Sequence, residues 1–259
     1  MPVVCATLRI RFAAGDSYVT DMSRTAGHIS TITSTSWHPL ERDIVLTSST
    51  DGSVRIWDLL KGKTTFQKHL KCSVVYRLKN KQGRRTGVAC AAFDSTGRFF
   101  VAGTTCGSVQ IWKVSKTTNS ISSRPDQVIF NIHGGTRVNS VMYDQQGSKI
   151  ASRGEDDSVL VWNAKNLRHG PLLTLKNIVS WYESSNCAFS PDGNVICATT
   201  SVKAKSGENG RLIFFNCNTN KRSEAPISEL KIAPDGVSAV RVVWHPKLNQ
   251  IFVSLSNGM

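Results

Sequence analysis

Gly27-His28, followed by Thr47-Ser48-Ser49-Thr50-Asp51-Gly52-Ser53-Val54-Arg55-Ile56-Trp57-Asp58, is the stretch that decides the fold. Two β-prone runs flank an Asp-Gly pair, the residues a tight reversal between antiparallel strands requires. His28 precedes Asp51 by 23 residues and Asp51 precedes Trp57 by 6; His133, Asp156 and Trp162 repeat both intervals. Identical spacing at two places means a repeated structural unit, because unrelated segments have no reason to keep two intervals at once.

Working outward, the closing strand recurs as Ser53-Val54-Arg55-Ile56-Trp57-Asp58, Ser108-Val109-Gln110-Ile111-Trp112-Lys113, Ser158-Val159-Leu160-Val161-Trp162-Asn163 and Arg211-Leu212-Ile213-Phe214-Phe215-Asn216. An aromatic followed by turn residues opens each unit: Trp37-His38-Pro39, Phe93 to Gly97, Tyr143 to Gly147, Phe189 to Gly193 and Trp244-His245-Pro246. The closing aromatics Trp57, Trp112, Trp162 and Phe215 lie 55, 50 and 53 residues apart, so loops lengthen a repeat that elsewhere runs about 40–45 residues. Short alternating strands at even spacing, with no competing helical period, predict an all-β fold of radially repeated four-stranded units, a β-propeller. Residues 15–259 form one such domain in this reading, and residues 1–14, which match nothing in the repeat, are set apart from it. The count is about four full blades with partial blades at both ends: a fourth-strand remnant around Tyr18 to Met22, and a last blade that stops after its second strand. The ring is therefore expected to be incomplete.

Composition narrows the functional class. With 259 residues, of which 40% are hydrophobic and 8% aromatic, the chain can bury a core without disulfides or metals. It contains no apolar run long enough to span a bilayer. Seven cysteines are scattered without a CxxC pair, and most sit in apolar strand runs such as Val88 to Phe93, where they read as small buried hydrophobes. There is no GxGxxG, P-loop, HExxH or GxSxG, so no enzyme, cofactor or metal site is expected. Lys plus Arg number 32 against 18 for Asp plus Glu, a net charge of +14, which favours acidic partners or serves solubility alone.

Gly27-His28 with Trp57-Asp58 resembles the signature of the WD-repeat family. Three longer stretches, Gly15 to Met22, Ala151 to Ser158 and Trp244 to Ile251, are similar to nuclear WD-repeat proteins of the gastrulation-defective type. The resemblance implies that His28, Thr47, Asp51 and Trp57, and likewise His133, Ser152, Asp156 and Trp162, form a buried network that locks a blade. The turn Asp accepts from the imidazole, the imidazole meets the hydroxyl, and the indole N–H closes the chain. A hydrolase triad is the competing reading of His, Asp and Ser, but a triad needs an exposed nucleophile and occurs once, whereas this set occurs twice at blade spacing and ends each time on a Trp. The second and fourth blades depart from the pattern. Cys106 stands where the Asp would be, Phe215 replaces the Trp, and neither has the Gly-His, so both should be softer.

The resemblance further implies a non-catalytic nuclear scaffold, acting as substrate receptor or adaptor in chromatin or DNA-damage-related ubiquitin-ligase assemblies. Against the ligase part, none of the strand ends Trp57-Asp58-Leu59-Leu60, Trp112-Lys113-Val114-Ser115 or Trp162-Asn163-Ala164-Lys165 carries the Trp-Asp-x-Arg motif of such receptors. No acid lies between Asp58 and Asp94, whereas nine basic residues do. Lys79, Lys81, Arg84 and Arg85 fall between a fourth strand and the next first strand; Lys203 and Lys205 fall between a second and a third. Both connections emerge on one face, making these six a candidate patch for acidic or chromatin-associated proteins, with direct nucleic-acid or nucleosome binding as the alternative. The fourth strand before this loop is either Thr64 to Leu70 or Cys72 to Leu78.

Overall fold

The computed structural model describes residues 9–11, 17–19, 27–59, 72–115, 124–179, 181–203, 207–218 and 224–258. Among them there is no α-helix, and twenty strands account for the regular structure apart from short 3-10 turns. Arg9–Arg11 (β1) and Ser17–Val19 (β2) pair with each other as an antiparallel ribbon, Ile10 opposite Tyr18. Tyr18 therefore belongs to this ribbon and not to the expected fourth-strand remnant; residues 20–22 of that stretch lie outside the described residues.

Four antiparallel meanders follow. The first contains Ile32–Trp37 (β3), Ile44–Ser49 (β4), Ser53–Asp58 (β5) and Cys72–Arg77 (β6), paired in that order. The second contains Val88–Phe93 (β7), Phe99–Thr104 (β8), Val109–Lys113 (β9) and Gln127–Ile129 (β10). The third contains Val138–Tyr143 (β11), Lys149–Gly154 (β12), Val159–Asn163 (β13) and Pro171–Leu175 (β14). The fourth contains Cys187–Phe189 (β15), Val195–Thr199 (β16), Asn209–Asn216 (β17) and Ser228–Asp235 (β18), and a two-stranded unit, Ala239–Trp244 (β19) with Ile251–Leu255 (β20), comes last. These are blades A to D and a partial fifth. Of the two candidate fourth strands of blade A, Cys72–Arg77 is the one observed, while residues 64–70 lie outside the described residues.

The core lies between the sheets, not within one of them. Side chains on one face of each blade meet the next: Leu46, Ile56 and Tyr76 pack on Phe93, Phe100 and Trp112; Val101 and Ile111 pack on Ile150, Leu160 and Trp162; Val159, Val161 and Leu175 pack on Ile196 and Phe215. Ala188, Cys197 and Leu212 then meet Val242 of the last unit. Stacking blades this way leaves the first strands innermost, and β3, β7, β11, β15 and β19 together line a central cavity of about 660 Å³. A register shift recurs in the first strand of four units, at Ile32/Ser34, Val88/Cys90, Val138/Ser140 and Ala239/Arg241. Such bulges add twist where the innermost strands crowd the axis.

Side chains staple neighbouring first strands together. The Ala91 N–H donates to Ser34 Oγ at 2.9 Å, and the Cys90 thiol donates to the Val138 carbonyl at 3.2 Å. Asn186 grips Val242 at both ends: its Nδ2 donates to the carbonyl at 2.8 Å and its Oδ1 accepts from the N–H at 2.7 Å. Cys90, Cys187, Cys197 and Cys217 are buried and free, and burial pushes the first three thiols up to about 12, 11 and 12. They behave as core residues, as their apolar surroundings suggest.

Candidate functional site

The structure brings the eight residues of the two spaced motifs together into two matching clusters. In blade A, His28 Nδ1 meets Asp51 Oδ2 at 3.0 Å and His28 Nε2 meets Thr47 Oγ1 at 2.7 Å, while the Trp57 indole donates to Thr47 Oγ1 at 2.8 Å. In blade C, His133 Nδ1 meets Asp156 Oδ1 at 2.8 Å, His133 Nε2 meets Ser152 Oγ at 2.9 Å, and the Trp162 indole donates to Ser152 Oγ at 3.0 Å. Local geometry explains each placement. Ser152 lies two residues beyond Ile150, the cross-strand partner of Trp162, so it shares the face of the indole. Gly154 leaves the room the imidazole takes, since a Cβ there would sit 2.3 Å from His133 Cγ.

A fifth member belongs to each cluster and does not follow from the spacing. Ser53 Oγ donates to Asp51 Oδ1 at 2.6 Å and lies 3.2 Å from His28 Nδ1; Ser158 Oγ donates to Asp156 Oδ1 at 2.8 Å and lies 2.9 Å from His133 Nδ1. A sequence signal for it exists, a Ser two residues after the turn Asp in both blades.

Burial alone would raise the Asp51 carboxyl, but hydrogen bonds from His28, Ser53 and the Ile29 N–H hold it well below the usual carboxylate range. Asp156 is lowered in the same way, burial being outweighed by His133 and Ser158. A carboxylate depressed in the folded state stabilises the protein above its ordinary pKa, and that stability is lost as pH falls because the unfolded chain protonates first. We expect the urea midpoint to drop as pH is lowered below about 4–5, with a shallower drop in Asp51→Asn; parallel profiles for the two proteins would contradict this.

Blades B and D show what happens without the set. Ala102 and Ala198 occupy the positions of Thr47 and Ser152, two residues beyond the cross-strand partners of Trp112 and Phe215. Trp112 accordingly has a buried indole nitrogen with no partner. Cys106 instead joins a small hydroxyl cluster, with Thr86 Oγ1 at 3.2 Å and Thr104 Oγ1 at 3.3 Å. Trp57→Phe removes a made hydrogen bond, whereas Trp112→Phe removes an orphaned donor whose burial already costs about 1–3 kcal/mol. Thermal melts should therefore show Trp57→Phe as the more destabilising by about 1–2 kcal/mol; equal losses would remove the distinction between the blades.

The family model described as WD domain, G-beta repeat matches residues 20–58, 65–113 and 125–163, which take in the strands of blades A and B and the first three strands of blade C. The chain is built from WD40 repeats. Blade D, which lacks the hydroxyl and the Trp, lies outside those matched segments. The WD40 chain is 30% identical over 254 residues to the Gastrulation defective protein 1 homolog of Drosophila melanogaster, covering 96% of this chain and 35% of that protein. It is 32% identical over 246 residues to WD repeat-containing protein 70 of Xenopus tropicalis, covering 95% and 36%. The chain thus spans about a third of the length of these relatives. Among solved structures, the WD40 domain of Toxoplasma gondii coronin matches with a TM-score of 0.74 at 15% identity, over 96% of this chain and 59% of that one. A chain of a mitotic checkpoint complex matches with a TM-score of 0.69 at 16% identity, over 97% and 68%. WD40 repeat proteins are in general protein-interaction scaffolds without catalytic activity.

The basic candidates divide between two places. Lys79 and Arg85 form an antiparallel bridge beyond β6, closing a turn in which Asn80 Oδ1 accepts from the N–H groups of Gln82 and Arg84 at 3.1 and 3.0 Å. Residues 81–85 are all exposed. The stem of Arg85 crosses Gly52 of the preceding turn, where a Cβ would sit 2.6 Å from Arg85 Cγ, and Gly52 has φ +80°. Lys203 is exposed in the β16–β17 connection, on the same edge of the blades by strand order but two blades further round; Lys205 lies outside the described residues. Among the described residues no three His, Cys, Asp or Glu side chains gather to hold a metal ion, and no helix is long and apolar enough to cross a membrane.

Proposed function

We propose that this chain is a non-catalytic nuclear scaffold that docks acidic segments of protein partners on the edge carrying the β6–β7 hairpin. The reading rests on one observation: the hairpin holds Lys79, Lys81, Arg84 and Arg85 on a closed, hydrogen-bonded turn, and no acidic residue occurs in the sequence from 59 to 93. A rigid cationic turn loses little entropy on binding and attracts anionic partners over several ångströms. The resemblance of its sequence to gastrulation-defective-type WD-repeat proteins extends the reading to an adaptor or receptor subunit in chromatin or DNA-damage-related ubiquitin-ligase assemblies.

Direct nucleic-acid or nucleosome binding is the second reading, favoured by the net charge of +14. Against it, Tyr76 cannot stack on a base: its ring is buried, its hydroxyl donates to the Lys113 carbonyl at 3.0 Å and accepts from Ser115 N–H at 2.7 Å. Affinity capture from nuclear extract, with and without nuclease, distinguishes the two. The proposal expects partners that survive nuclease and are lost when Lys79, Lys81, Arg84 and Arg85 are changed to Glu. Partners lost to nuclease, and duplex binding whose logarithmic salt slope approaches about −0.9 per phosphate contact, would establish the second reading instead.

A further inference from the structure

Gln110 is buried in β9, yet it is an amide where blades C and D carry a hydrophobe. The position lies two residues before each closing aromatic. Leu160 before Trp162 and Ile213 before Phe215 pack into the cores between blades, and Arg55 stands before Trp57. A buried amide costs free energy unless its polar atoms are bonded, so one that replaces a hydrophobe needs a partner. Gln110 Nε2 finds it outside its own sheet, donating to the Lys79 carbonyl at 2.8 Å, with a second, longer bond to Ser108 Oγ at 3.3 Å.

Lys79 belongs to the stem of the basic hairpin. Two ladder bonds flank its pairing with Arg85: Asn80 N–H donates to the Arg84 carbonyl at 2.8 Å, and Thr86 N–H donates to the Leu78 carbonyl at 3.2 Å. Bonded and non-bonded pairs alternate along an antiparallel ladder, so the Lys79 carbonyl points out of the hairpin and not across it. That outward carbonyl is the one Gln110 takes. On its other side the hairpin rests on blade A, where Leu78 N–H donates to the Gly52 carbonyl at 3.0 Å and the stem of Arg85 crosses Gly52. The ladder bonds give the hairpin its shape. Its direction comes from two outside anchors, the β4–β5 turn of blade A and the third strand of blade B.

We propose that Gln110 is a positioning residue for the basic hairpin, its amide fixing the direction in which Lys79, Lys81, Arg84 and Arg85 are presented to an acidic partner. This role rests on the hairpin being the docking site proposed above; Gln110 itself does not meet the partner. Without the bond to Lys79 the hairpin keeps its ladder but pivots on the blade A anchor. Its cations then spread over several orientations that binding must narrow to one, which weakens affinity although no charge has been removed.

The test uses the 259-residue chain and two substitutions. Gln110→Met keeps the length of the side chain and loses the donor, and Gln110→Leu supplies the side chain that blade C carries at this position. Hydrogen–deuterium exchange at single amides needs no partner. Both variants should exchange about tenfold faster at Asn80, Gly83, Arg84 and Thr86, the factor that the loss of one hydrogen bond implies, while the amides of β7, β8 and β9 keep the parent's rates. Affinity for a fluorescent peptide of glutamates spaced by Gly-Ser should fall about three- to tenfold in both variants, and Arg84→Glu/Arg85→Glu should abolish binding. Parent-like exchange in the hairpin, acceleration throughout blade B, or parent-like affinity alongside faster hairpin exchange would overturn the proposal. A parent chain that leaves the glutamate peptide unbound would overturn the docking reading and with it the effect on affinity, and the exchange rates would still decide whether Gln110 holds the hairpin.

Discussion

Arg153→Met is expected to destabilise the chain by about 3–5 kcal/mol. Arg153 is in β12 on the face toward blade D, and its guanidinium is fully buried. It donates to the carbonyls of Asn186 at 2.6 Å, Thr199 at 2.7 Å and Val179 at 3.4 Å, and to Thr199 Oγ1 at 3.1 Å. Burial pushes its pKa down to about 10, which leaves it charged at neutral pH. Exchanging a buried ionic group for a hydrophobe is often neutral when the whole polar set goes with it. Here the acceptors are mostly backbone carbonyls, which cannot be removed; those of Asn186 and Thr199 would lose this donor between two blades, while Val179 keeps the Ser201 N–H. Arg153→Lys should fall between parent and Met, because one ammonium cannot reach carbonyls on both sides of a planar fork. Chemical denaturation measures the series, and a Met variant as stable as the parent would show that the blade interface does not rely on this residue.

His133→Ala is expected to cost on the order of 3 kcal/mol, and the loss should be non-additive with changes at its partners. Removing the ring leaves a cavity against Gly154, strips Asp156 of the bond that depresses it, and leaves the Ser152 hydroxyl with the Trp162 indole alone. Once the imidazole is gone, Trp162→Phe should cost less than it does in the parent, because the hydrogen-bond chain it ended has already been cut. Costs that simply add would mean that the four groups are neighbours without being coupled.

The repeat is legible in the sequence because its signals are local. Asp-Gly turns, alternating strands and a closing aromatic survive in the linear order, and the paired intervals of 23 and 6 residues are enough to place His, Asp and Trp on one blade. Counting back ten residues from each Trp also exposes Ala102 in place of Thr47 and Ser152. The same count fails in blade D, where the long β16–β17 connection shifts the interval and only strand pairing identifies Ala198. Contacts between blades leave no such trace. Arg153 and Asn186 look like ordinary polar residues in strands until the next sheet is stacked against them, and Tyr76 looks available for binding although its hydroxyl holds the β9 end of the neighbouring blade.

The hydrogen-bond chain in blades A and C makes one demand that can be measured without mutation. Asp51 and Asp156 as carboxylates only accept, the indoles of Trp57 and Trp162 only donate, and the hydroxyls of Thr47 and Ser152 each have one proton to give. These constraints put the imidazole proton of His28 and His133 on Nδ1 and leave Nε2 to accept from the hydroxyl. Long-range proton–nitrogen correlation spectra of the histidine side chains at neutral pH report the tautomer directly. The account predicts that both rings carry their proton on Nδ1, accompanied by slowly exchanging indole protons from Trp57 and Trp162. Rings protonated at Nε2, or indole protons of Trp57 and Trp162 that exchange as fast as those of an exposed tryptophan, would contradict it.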